Sequence, residues 1–290
     1  MAHEHAALAP TGPNADQIER WNETSGVKWA RHAAMIEPFM KPISDRLLER
    51  AAAEPGQAIL DIGCGAGAVS LTLAEQVGSA GRVLGVDISA PMLGVARTAA
   101  GAAPATFVLA DASEYALPPA AFDLAISRFG VMFFADPVAA FANIRKGLKS
   151  GGRLVFVCWQ SLKFNAWVTV PLTAALKHLP PPEPLEPGAP GPFAFADAAR
   201  LEDILKRAGY QDIAIDPVTF SIPIAGPGPD CVDRAAFFVT EIGPVSSLLD
   251  TADEASRAAV HAEIREAMRP YATANGVLLD AACWLVEARA

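Results

Sequence analysis

Between residues 58 and 158 the chain alternates between two hydrophobic rhythms. Short apolar runs predict strands near 58–62, 82–87, 105–110, 122–127 and 152–158. Patterns at helical spacing near 67–77, 90–100 and 137–149 separate most of them. Buried strands alternating with amphipathic helices imply a parallel sheet with right-handed crossovers, and a ligand at the carboxyl ends of its strands. Ser89 suits the N-cap of the second helix, with Pro91 just inside its start.

The flanks read differently. Residues 1–14 lack periodicity and are expected to be disordered. Asp16 to Glu37 is a partly amphipathic helical region around Gly26, bearing Trp21 and Trp29, and is expected to lie as a lid over the site. A helix from Pro42 to Ala53 follows, stopped by Glu54-Pro55-Gly56. Phe164 to His178 looks helical apart from Pro171. Residues 179–192 hold seven prolines and read as a stiff connector crossing the surface. Beyond it come a helix at Asp197 to Ala208 with Asp197 as its N-cap, a strand at Asp212 to Ile222, helical patterns at 235–239 and 253–268, and a last strand at Ala281 to Ala288.

The chemistry concentrates where the first strand meets its helix. Gly63, Gly65 and Gly67 let the backbone turn sharply and leave space for a ligand against main-chain N–H groups. Gly63, Gly65 and Ala68 also satisfy the loose dinucleotide pattern, so the turn alone leaves a nicotinamide-dependent oxidoreductase open. Two carboxylates weigh against it. Asp61, at the end of the first strand, would repel a pyrophosphate and attract an amine. Asp87, closing the next strand, offers acceptors to both hydroxyls of a ribose, although a turn or cap role would also suit it. Together they describe a pocket for a nucleoside with a cationic amino-acid tail.

Five stretches in this order resemble the class I S-adenosylmethionine-dependent methyltransferases, in particular the bacterial small-molecule type related to the quinone-biosynthesis enzymes. They are Leu60 to Gly67, Gly85 to Ser89, Asp111-Ala112, Phe122 to Ser127 and Leu148 to Leu154. The resemblance implies an α/β Rossmann-like fold: a seven-stranded, mostly parallel sheet with helices on both faces, finished by an antiparallel pair and covered by a helical cap. The implied layout is a lid at 15–56, a core at 57–160, a cap helix and connector at 161–196, and the end of the sheet at 197–290 with helices inserted at about 225–275. It also implies S-adenosyl-L-methionine as cofactor. Asp87 would hold the ribose and Asp111 the adenine amino group, with Ala112 at the ring edge. Gly63, Cys64 and Gly65 would line the methionine portion, near Asp61, and Ile88 and Met92 would sandwich the adenine. Trp29 would lie over the cofactor. Arg128, Phe129 and Phe133, after the fourth strand, occupy the loop between cofactor and acceptor, and their aromatic character suggests an apolar acceptor. A general base is needed only for an acceptor that must lose a proton, and His32 is the first candidate.

Composition narrows the partners. With 23 basic against 32 acidic residues the net charge is −9, unlike the basic surface that nucleic acids require. The Asn/Asp-Pro-Pro-Phe/Tyr tetrad of nucleic-acid N-methyltransferases is absent. The start of the chain lacks the basic and apolar regions of a signal peptide, and no apolar run reaches the ~18 residues of a membrane span. The four cysteines show no C-x-x-C spacing and read as reduced thiols with no metal site. The expectation is a cytoplasmic enzyme acting on a small molecule; the alternative is a non-catalytic binder of the same nucleoside or a partner subunit.

Overall fold

Each of the five apolar runs forms a strand: β1 (Ala58–Ile62), β2 (Arg82–Asp87), β3 (Ala105–Leu109), β4 (Phe122–Arg128) and β5 (Leu148–Trp159). Their crossovers carry α4 (Ala68–Val77), α5 (Ala90–Ala100) and α6 (Pro137–Gly147). Two long strands complete the sheet, β6 (Gln211–Ala225) and β8 (Gly276–Arg289), together with β7 (Ala272–Thr273). The computed structural model describes residues 7–183, 186 and 188–290. The expected disorder of residues 1–6, and positions 184, 185 and 187 of the proline-rich run, lie outside the described residues.

Strand order is β3-β2-β1-β4-β5-β8-β6, with β7 pairing β8, so the described sheet has eight strands, one more than expected. The additional strand is only two residues long. Pairs β1–β2, β2–β3, β1–β4 and β4–β5 are parallel, while β8 runs antiparallel to both β5 and β6. All five residues of β1 are buried, as befits a strand covered on both faces. Chain order reverses between β1 and β4, and open α/β sheets bind ligands at such a switch point.

Several boundaries differ from those read in the sequence. The first helical region is three helices, α1 (Ala15–Glu23), α2 (Ser25–Arg31) and α3 (Ala33–Ala51). The third runs through Pro38 and Pro42 and so absorbs the separate helix expected from Pro42. An interior proline costs about 3 kcal/mol. Ile36, Phe39, Met40, Ile43 and Leu47 are buried along that helix, and complete burial of such side chains contributes about 1.5–3 kcal/mol each. Packing therefore outweighs the breaks. Strand β5 starts at Leu148, four residues early, because an irregularity opposite Phe122 to Leu124 takes up the Gly151 turn. Pro217 and Pro223 do not shorten β6, which is an edge strand, where a missing N–H is tolerated.

The remaining helices cover the carboxyl end of the sheet or its flank: α7 (Ala166–Ala175), α8 (Ala198–Arg207), α9 (Cys231–Glu241), α10 (Pro244–Leu249) and α11 (Glu254–Met268). Asp197 caps α8 by accepting from the Ala199 and Arg200 amides. The six residues of α10 gave no helical signal in the sequence. Among the described residues no helix is long and apolar enough to cross a membrane.

Candidate active site

The turn after β1 is fixed from both sides. Gly63 and Gly65 have φ of +64° and +55°, values that a side chain opposes. A Cβ on Gly63 would stand 2.6 Å from Cα of Gly130, in the turn after β4, so two loops meet there backbone to backbone. The amides of Gly63 and Cys64 donate to the Val86 carbonyl at 2.8 and 3.3 Å. The amide of Gly65 donates to Asp87 Oδ2 at 2.7 Å. These N–H groups are spent on β2 rather than turned to a ligand, contrary to the sequence reading. A dinucleotide pyrophosphate would lack the row of free amides it needs.

Asp87 accepts a second backbone amide, from Ser89, on Oδ1 at 2.8 Å. A carboxylate has about four lone-pair sites, so two remain for a ligand. Burial pushes the Asp87 carboxyl up from its ordinary value, and the Ser89 and Gly65 amides that donate to it, with the Ile88 amide nearby, pull against that. Asp61 is only 1% exposed, and the Ser70 hydroxyl donates to its Oδ2 at 2.6 Å. Burial pushes its pKa up to about 6, against the pull of that hydroxyl and of nearby Arg128. It is a buried carboxylate short of positive charge. Burial and the two neighbouring carboxylates hold the Cys64 thiol well above its ordinary range, so it stays a neutral apolar wall.

One cavity of about 850 Å³ joins these groups to everything above them. It is lined by Trp29, Asp61, Gly63, Cys64, Gly65, Asp87, Ile88, Met92, Asp111, Ala112, Arg128, Phe129 and Phe133, so all the proposed cofactor and acceptor residues meet in one space. Arg128 reaches it already paired, donating to both oxygens of Glu37 at 2.7 and 3.0 Å and to the Ser44 hydroxyl at 2.7 Å. Phe129 has φ of +67°, a strained value for an aromatic residue, and stacks on Trp159 with centroids 4.1 Å apart. Trp159 leads on to Trp167 at 4.9 Å, and Trp167 to Phe39 at 5.3 Å. Across the cavity Trp21 packs edge-on against Trp29 and Phe133, at 5.8 and 5.3 Å.

Residues 60–156 match the family described as a methyltransferase domain. Over 190 residues, 60% of the chain, the sequence is 32% identical to nocamycin O-methyltransferase of Saccharothrix syringae, covering 66% of that protein. Over 121 residues, 41% of the chain, it is 37% identical to aklanonic acid methyltransferase of Streptomyces sp. strain C5, covering 55% of it. The fold is similar to that of phosphoethanolamine N-methyltransferase 2 of Haemonchus contortus in complex with S-adenosyl-L-methionine. That likeness has a TM-score of 0.52 at 19% identity and covers 86% of this chain and 52% of that one. Residues 60–156 are thus a methyltransferase domain, and the chain is similar to S-adenosylmethionine-dependent methyltransferases. The matched stretches span between about half and just under two thirds of the two sequence relatives.

The site above this methyltransferase domain holds more than the sequence disclosed. His32 is absent from the cavity wall; its Nε2 lies 3.2 Å from Glu241 Oε2, and its ring packs on Phe237. Glu241, which ends α9, is the partner that faces the cavity. The His32 side chain is largely buried between Glu241 and Phe237 and does not itself reach the cavity. Nor does the proline-rich segment simply cross the surface, because Pro182, Glu183, Pro192 and Phe193 line the cavity and the Gly191 amide donates to the Met132 carbonyl at 3.0 Å. Asn14, at the end of the segment expected to be disordered, is 4% exposed and lines the cavity too. Phe39, Trp159 and Trp167 also went unnamed, since in sequence they look like any core aromatic.

Proposed function

We propose that this protein moves the methyl group of S-adenosylmethionine to a small, largely apolar acceptor, and that both molecules share the one cavity. The observation that carries this is its division into an acidic, glycine-bordered end and an aromatic end. About 850 Å³ lies toward the top of the ~300–1,000 Å³ of single-ligand sites, room enough for two partners.

The residues present fit the cofactor. Asp61 is a buried carboxylate whose ionisation the fold opposes, and a ligand ammonium would relieve it. Asp87 has two lone-pair sites that would take ribose hydroxyls, and Asp111 would accept the adenine amino group. When bound, S-adenosylmethionine supplies an electrophilic methyl carbon on a cationic sulfur. The chain's part is to align and to dry the site. Holding reactants in attack geometry contributes up to about 7–11 kcal/mol. Phe129, Trp159 and Trp167 offer an apolar wall that excludes water from an acceptor. Glu241 is the carboxylate on the acceptor side paired with a titratable group instead of a fixed cation, so it, with His32 behind it, is suited to take a proton from an acceptor hydroxyl. All four cysteines are free and buried, the state a reducing cytoplasm maintains, and we place the protein there.

Calorimetry with S-adenosylmethionine and S-adenosylhomocysteine tests the reading. We expect micromolar binding to the wild type. In Asp87→Ala affinity should fall about 10- to 100-fold, because hydrogen bonds to a charged group are lost. Absence of binding to the wild type, or unchanged affinity in the variant, would overturn it.

A further inference from the structure

The first helix is fastened to the core by two asparagines, one at each end. Asn14, just before α1, donates from Nδ2 to Asp111 Oδ2 at 2.8 Å and accepts the Ala135 amide on Oδ1 at 2.7 Å. Asn22, in the last turn of α1, donates from Nδ2 to the Ile88 carbonyl at 2.8 Å and accepts the Ala90 amide on Oδ1 at 3.0 Å. In both, the partners fix which way the amide faces, because only oxygen can accept a backbone N–H and only nitrogen can donate to a carboxylate or carbonyl. Ser89 adds a third tie, its hydroxyl donating to the Trp21 carbonyl at 2.7 Å. Gly26 of α2 leaves no room between them, since a Cβ there would lie 1.7 Å from the Trp21 carbonyl oxygen. These ties reach the loops after β2, β3 and β4, the first two of which carry the proposed adenosine contacts.

Asp111 shows what the first clamp does. Its Oδ1 accepts both the amide and the hydroxyl of Ser113, at 2.8 and 2.7 Å. Among the described residues its Oδ2 accepts only from Asn14. Three of about four lone-pair sites are filled, and the one left is on Oδ2, in a direction set by the Asn14 amide. One remaining acceptor suits one N–H of an exocyclic amino group. A 6-oxo purine would instead bring an oxygen against it.

We propose that Asn14 and Asn22 are positioning residues of the adenosine half of the site, with Asn14 making Asp111 selective for a 6-amino over a 6-oxo purine. Asn22 sets the loop of Ile88 and Met92 against either ring. The proposal rests on the cofactor reading above, since it concerns the base of that same nucleoside.

Calorimetry with S-adenosylhomocysteine and S-inosylhomocysteine, on wild type, Asn14→Ala and Asn22→Ala, provides the test. We expect Asn14→Ala to lose about 10-fold in affinity for the amino ligand, the worth of one oriented hydrogen bond to a charged group, with no more than a twofold change for the oxo ligand. Asn22→Ala should weaken both alike. A purely structural role for Asn14 would lower both ligands equally, and that result, or no change in either, overturns the proposal. Should Asn14→Ala fail to fold, amide exchange on the wild type decides. S-adenosylhomocysteine should protect residues 7–23 more than S-inosylhomocysteine does at equal saturation, and equal protection overturns the proposal. If neither ligand binds the wild type, the cofactor reading itself has failed; binding without discrimination defeats only the clamp.

Discussion

Asp61 sits where stability and binding make opposite demands on one side chain. With a folded pKa near 6 against an ordinary 3.8, the fold holds the proton more tightly than the unfolded chain does. Its favourable contribution is therefore complete below about pH 4 and is lost as pH rises through about 6. The difference amounts to roughly 3 kcal/mol against the folded state at neutral pH. Asparagine keeps an acceptor for the Ser70 hydroxyl and never ionises. Asp61→Asn should thus melt several degrees above the wild type at pH 7.5 and level with it near pH 4, as thermal scans across that range would reveal. The same variant should bind S-adenosylhomocysteine about 10- to 100-fold more weakly at pH 7.5, since an ammonium loses its counter-charge. Wild-type affinity should decline as pH falls through 6, and the variant should lack that step. A variant that neither gains stability nor loses affinity would leave Asp61 without the role argued for it. Arg128, by contrast, is held by Glu37 and Ser44 and answers the needs of the lid helix as much as those of a ligand.

Among the elements, the carboxyl ends of β1 and β4 are joined at Gly63 and Gly130, and this junction sets the floor of the site. A Cβ on Gly130 would come within 2.5 Å of the Ile62 carbonyl oxygen and 2.7 Å of Gly63 Cα, both backbone atoms that cannot rotate away. Gly94, inside α5, meets nothing within 4 Å. Alanine should therefore act with opposite sign at the two. Gly130→Ala is expected to cost about 1–3 kcal/mol or more from overpacking, and Gly94→Ala to add about 0.5–1 kcal/mol from helix propensity; melting temperatures of both variants check it. The glycines, Asp61 and Asp87 were legible in the sequence because their signals are local: a strand, a turn and a carboxylate two residues from it. So were β1 to β4 and the caps at Ser89 and Asp197. The rest was not legible because it depends on distant partners. Nothing within a few residues of Asn14 announces Asp111, and nothing near Glu241 announces His32. Pro38 and Pro42 pointed to a break that burial overrode, and α10 is too short to show a period.

At the scale of the molecule, the cavity is closed by two groups of contacts of unequal strength. On the nucleoside side α1 is tied down by Asn14 and Asn22, through partly buried hydrogen bonds to four separate core groups. On the other side α2, and Arg20 of α1, meet α10 and the residue after it through polar contacts that are partly or fully exposed. Lys28 Nζ reaches Asp250 at 2.6 Å and donates to the Ser246 hydroxyl at 2.8 Å, and Arg20 donates to Ser247 at 3.2 Å. The Lys28 and Asp250 side chains are 28% and 48% exposed. Pairs of that kind contribute about 0–1 kcal/mol and are screened by salt. The seam between α2 and α10 should therefore part first, and it borders the aromatic half of the cavity, where an acceptor would enter. Lys28→Ala should leave the melting temperature within about two degrees, because little stability resides in one exposed pair. Amide exchange at residues 25–31 and 244–249 should nevertheless quicken several-fold, with 15–23 unchanged; local opening of a few contacts is what such exchange reports. Raising the salt concentration on the wild type should quicken the same two segments. Faster exchange in α1 as well would mean that the whole lid lifts as one body, and the acceptor would then share its entrance with the cofactor.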